Sequence, residues 1–101
     1  MNAIHIEQGL THNNSIVRSV FAERNDFTPT PEQIERGLTD TETFVRMKFA
    51  KRKDFTPTAA QIERGLMDNS PTIRMIFAAK QAEWLREQFQ SETPQKIKKV
   101  L

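Results

Sequence analysis

The chain has no cysteine and no tyrosine, and only three glycines and two histidines in 101 residues. Without cysteine there is no disulfide frame, no thiolate nucleophile and no sulfur-held metal site. His5 and His12 stand alone, with no ligand cluster near them, so no metal or other cofactor is expected. There is no Ser/His/Asp set, no glycine-rich phosphate loop and no HExxH pattern. Nothing announces an enzyme. No apolar run approaches the roughly 18 residues of a membrane span, and the N-terminus lacks a signal-peptide pattern. The expectation is a soluble cytoplasmic protein with no membrane partner.

The length suits one domain, and a chain this short buries only about 60–65% of its extended surface. That leaves little core to spare for a deep pocket. Net charge is +2 but uneven. Residues 1–42 hold three Lys/Arg against seven Asp/Glu, and residues 43–101 hold twelve against six. Such an acidic front and basic back could steer a charged partner.

What is present in abundance is repetition. Ile6-Glu7-Gln8-Gly9-Leu10 returns as Ile34-Glu35-Arg36-Gly37-Leu38 and as Ile62-Glu63-Arg64-Gly65-Leu66. Asp-Phe-Thr-Pro-Thr stands at 26–30 and again at 54–58. Residues 6–33 laid on 34–61 give 16 identities in 28 places. A fixed period of this length marks an array whose units are each too small to bury their own apolar face.

One unit can be read residue by residue. Thr30 caps a helix, Pro31 takes its first position and Gln33 completes a capping box, predicting a short helix over 31–38. Gly37, like Gly9 and Gly65, reads as close backbone approach to a neighbouring helix, with a left-handed helix terminus as the rival. A polar turn leads to a second helix over about 42–53, its apolar Phe44, Val45 and Phe49 at helical spacing. Asp54-Phe55-Thr56-Pro57-Thr58 then links to the next unit. The whole chain is expected to be all-α: a half-unit over 1–10, then units over about 11–38, 39–66 and 67–101. The last unit gains an extended helix near 72–90 and a capping helix over 94–101, whose Thr93-Pro94 mirrors Thr30-Pro31, giving about seven helices.

Asp followed by Val-Arg, a small residue and a helix-starting Thr-Pro resembles the leucine-rich repeat variant, a relative of the HEAT-like α-solenoids. The resemblance covers nearly the whole chain. It implies a short right-handed α-solenoid with a binding role and supplies no catalytic residue. The units here are longer than is usual in that family, and the iron–sulfur cluster of some members cannot be carried over to a chain without cysteine.

Candidate site residues each have two readings. Arg18, Arg46 and Arg74 recur in register. They suit an internal ladder to Asp40, Asp68 or turn carbonyls, or else phosphate binding. Lys48, Lys51, Arg52 and Lys53 form either a solvated helix end or a basic patch, to which Lys96, Lys98 and Lys99 would add. Trp84, Leu85 and Phe89 lie in the inserted turns, either packed under Ile97, Val100 and Leu101 or facing a partner or a second copy. Arg36 and Arg64, with Gln8 and the neighbouring Glu7, Glu35 and Glu63, line one face of the stack, either the binding surface usual in solenoids or a merely solvated charged face.

The function expected is non-catalytic protein–protein binding by a small inhibitor or adaptor. General resemblance to compact phage and prophage products extends this to an anti-CRISPR-like inhibitor. The competing class is nucleic-acid binding along the basic C-terminal half, against which the small net charge and the lack of an aromatic stacking platform count.

Overall fold

The computed structural model describes the backbone of residues 2–100 and the side chains of residues 2–89. Six helices and no strand occur among the described residues. They are α1 Ala3–Leu10, α2 Ser15–Ala22, α3 Pro31–Leu38, α4 Thr43–Ala50, α5 Ala59–Leu66 and α6 Pro71–Val100.

Local chemistry sets the starts. Asn2 accepts the His5 N–H at 3.0 Å, and Asn14 accepts the Ile16 N–H at 2.8 Å. Thr30 and Thr58 each form a complete capping box, with Gln33 and Gln61 returning the bond to the cap N–H. The turns before α4 and α6 use an acidic residue instead. Asp40 accepts the Glu42 N–H and Asp68 accepts the Ser70 N–H, both at 2.9 Å. In the first unit His12 takes this place, its Nδ1 accepting the Asn14 N–H at 3.0 Å.

Five of these helices are eight residues long, too short to persist alone in water. Packing holds them. α1 packs on α2, α3 on α4 and α5 on α6, while α2 also packs on α4 and α4 on α6. The core runs continuously through the three pairs: Ile6, Leu10, Ala22, Ile34, Leu38, Val45, Phe49, Ala50, Ile62, Ile73 and Phe77 are all buried. Phe27 and Phe55, from the two Asp-Phe-Thr-Pro-Thr links, pack against its edge.

The glycines explain how the paired helices approach so closely. Gly9, Gly37 and Gly65 face the rings of Phe21, Phe49 and Phe77, and a Cβ at any of them would fall inside the ring's own volume. No glycine has positive φ, so the close-approach reading applies and the left-handed one does not.

The C-terminal end differs from the sequence expectation. Instead of an extended helix near 72–90 followed by a capping helix over 94–101, α6 is one helix of 30 residues from Pro71 to Val100, so six helices replace seven. Residues 81–89 contain Ala, Glu, Gln, Leu and Arg with no glycine and no Asp-Phe-Thr-Pro-Thr link. Extending an existing helix through such residues is easier than nucleating another. The packing of Trp84, Leu85 and Phe89 under Ile97, Val100 and Leu101 falls on side chains outside the described residues.

Candidate partner-binding groove

Three rows of polar contacts join successive units, and they decide which predicted site residues remain available. In the first, Arg18 forks onto Asp40 through Nε (2.9 Å) and Nη2 (3.0 Å) and donates to the His12 carbonyl at 2.9 Å. Arg46 repeats this with Asp68 (3.0 and 3.1 Å) and the Asp40 carbonyl (2.8 Å). Arg74 keeps only the carbonyl bond, to Asp68 at 2.7 Å, because no later unit supplies a carboxylate among the described residues. Burial would raise the Asp68 carboxyl, but the bonds from Arg46 and from the Ser70 N–H outweigh it and hold Asp68 below its ordinary value.

The second row uses Glu7 and Glu35. Gln33 and Arg36 donate to Glu7 at 3.0 and 2.7 Å. Gln61 and Arg64 donate to Glu35, the guanidinium at 2.8 and 2.9 Å and the amide at 3.1 Å. Arg36 first and then Gln33 depress the Glu7 carboxyl; Arg64 and then Gln61 do the same to Glu35. Arg36 and Arg64 are therefore half-exposed but already paired.

The third row was hidden in the sequence. Arg52 belongs to the predicted basic patch, yet its side chain is only 7% exposed. It donates to the carbonyls of Ala22 (2.7 Å), Arg24 (2.8 Å) and Phe27 (3.0 Å), forks onto Asp54, and lies 4.8 Å above the Phe27 ring. Arg52 is thus largely engaged in contacts within the chain, although it also lines the first of the grooves described below. Lys80 stands one period later. It donates to the Arg52 carbonyl at 2.8 Å and sits 4.5 Å from the Phe55 ring centre. Arg24, Arg52 and Lys80 recur 28 residues apart, and that register was the available signal.

Of the remaining patch residues, Lys48 pairs with Glu23, while Lys51 and Lys53 are exposed. Both line two open grooves. One, of about 590 Å³, is bounded by Glu23, Asn25, Lys48 and Asp54. The other, of about 530 Å³, lies between the link into α5 and the helix α6. It is lined by apolar Ala50, Phe55, Pro57, Ile76 and Ala79 and by Lys80, Glu83, Trp84 and Glu87. Trp84 is 40% exposed there. Desolvation lowers the Lys80 ammonium below its usual range.

The second groove brings together Lys51, Lys53 and Trp84, which lie up to 33 positions apart in sequence. Phe89, 67% exposed, lies five residues beyond Trp84 on α6 and does not line it. Arg36 and Arg64 line neither of these two grooves. Among the described residues no group of His, Asp or Glu could hold a metal, and no helix is long and apolar enough to cross a membrane. No family model, curated protein or solved structure matches this chain.

Proposed function

We propose that this chain is a non-catalytic protein-binding module, a short right-handed α-solenoid whose working surface is the groove between the α5 link and α6. The solenoid reading is supported by the same bonds recurring one unit apart, Arg18–Asp40 with Arg46–Asp68 and Glu7–Arg36 with Glu35–Arg64. The observation that carries the binding role is the convergence of Lys51, Lys53 and Trp84 on one groove. Tryptophan is among the residues most enriched at interface hot spots, and nearby charges steer a complementary partner. The matching partner is an acidic segment carrying an apolar side chain, as a small inhibitor or adaptor would engage on a larger protein.

Phosphate binding is disfavoured by the internal use of cations. Arg18, Arg46 and Arg52 are spent on Asp40, Asp68 and Asp54, Lys48 on Glu23, and Glu83 and Glu87 line the groove itself. Affinity capture from the native host with wild type, Trp84→Ala and Lys51→Glu/Lys53→Glu tests the reading. A partner retained by wild type should be lost with both variants while their helical circular dichroism stays native. Equal capture by all three proteins removes the groove as the site. A shift of random DNA or RNA at micromolar protein that weakens steeply with salt would replace the reading with nucleic-acid binding.

A further inference from the structure

The two ends of the chain of units expose the two halves of a contact that the protein already makes twice inside itself. Where α2 meets α4, Ser19 and Ala22 of α2 are buried, and Phe44 and Lys48 of α4 are half-buried. Where α4 meets α6, the places of Ser19 and Ala22 are held by Met47 and Ala50 and the place of Lys48 by Ile76, all partly or fully buried, while the place of Phe44 is held by the exposed Thr72. One side of each helix thus packs forward and another packs backward.

Among the described residues no helix packs on α2 opposite α4. The backward side of α2 carries Ile16 and Val20, four residues apart, and these are 65% and 55% exposed. α6 has no partner after it among the described residues. Its forward side carries Met75, 73% exposed, and Ala78, although the equivalent Ala22 and Ala50 are completely buried. End units of a repeat array ordinarily turn polar faces outward. The exposed sides of α2 and α6 carry apolar side chains instead.

The second polar row is open at the same ends and with matching chemistry. Glu63 occupies the place of Glu7 and Glu35 but has no partner among the described residues. His5 and Gln8 occupy the places of Gln33 and Arg36, the donors to that carboxylate, and both are exposed. Residues 2–22 contain only two charged side chains, Glu7 and Arg18, and both are turned to the next unit by Arg36 and Asp40.

We infer that the partner of each end is a second copy of this chain, stacked head to tail so that Ile16 and Val20 of one molecule cover Met75 and Ala78 of another. The seam continues the internal packing, with Gln8 and His5 donating to the Glu63 carboxylate. It is weaker than an internal seam. Arg74 meets His12 where Arg18 and Arg46 meet aspartates, so the forked ion pair is missing. A head-to-tail contact leaves each dimer with one unused face at either end, so association grows with concentration past the dimer.

Sedimentation and light scattering across concentrations up to about 0.5 mM test it, a range that captures sub-millimolar affinities. The wild type should gain mean mass steadily. Val20→Glu and Met75→Glu, both at exposed positions, should each be monomeric with native helicity. Mixed in equal amounts they should form a one-to-one dimer, because each supplies the face the other has lost. Gln8→Arg, which restores the donor found in later units, should tighten association by up to about fivefold at low salt. A wild type that stays monomeric throughout overturns the inference. So does an assembly that Val20→Glu dissolves and Met75→Glu leaves intact, which would mark a symmetric contact between α2 helices.

Discussion

The Phe49 ring lies against the backbone of Gly37, in the space that a side chain there would need. Gly9 with Phe21 and Gly65 with Phe77 repeat the arrangement, so one small-to-large pairing sets the spacing of both helices in every unit.

Gly37→Ala is therefore expected to destabilise the fold, although alanine is by itself the better helix former by about 1 kcal/mol. The added methyl must displace a buried ring that cannot flex, and such overpacking costs typically about 1–3 kcal/mol. Urea unfolding should show the loss. Phe49→Leu added to Gly37→Ala should recover part of it, since the two residues share one space. A double variant no more stable than the sum of the two single changes would remove the steric explanation.

Two neighbouring cations should respond very differently to the same substitution. Arg52→Met leaves the carbonyls of Ala22, Arg24 and Phe27 without their donor, and a cost of roughly 2–4 kcal/mol is expected. Lys51→Met, at an exposed position, should change stability by no more than about 0.5 kcal/mol. Thermal melts of the two proteins decide the matter. Equal melting temperatures would mean that the Arg52 row contributes nothing.

Acid should loosen the joints between units. Arg36 and Gln33 depress Glu7, Arg64 and Gln61 depress Glu35, and Arg52 depresses Asp54. A carboxylate depressed in the folded state stabilises above its unfolded pKa and loses that contribution as pH falls through its folded value. Stability should thus hold from neutral pH down to about 5 and fall below about 4, the ordinary carboxylate range. Urea midpoints at stepped pH give the profile, and Glu35→Gln should flatten it. A midpoint unchanged between about pH 5 and 3 would contradict this account.

Much of this could be read from the residues. Thr30-Pro31 and Gln33 mark the start of α3, and the capping box they imply is the one observed. The recurrence of Arg18, Arg46 and Arg74 pointed to Asp40 and Asp68, and the forks join Arg18 and Arg46 to those residues. The burial of Arg52 is not legible locally, for a physical reason. Flanked by Lys51 and Lys53 the residue looks like part of a solvated helix end, and the carbonyls that bury it lie 25 to 30 residues earlier. The end of α6 was misread because Thr93-Pro94 has the local form of a helix start. The helix instead continues past Pro94, although proline in a helix interior is unfavourable. The groove at Trp84 was legible only in part, since Lys80 and Phe55 contribute through the link geometry and not through any local motif.

The polar bonds that tie the units together join residues 22 to 30 positions apart. Every seam is consequently near in sequence, and folding rates rise as such separations shorten. A ribosome need release only two neighbouring units before the first seam can set, without waiting for the C-terminus. The emerging chain can consolidate from its first helices onward, in the order in which it is made.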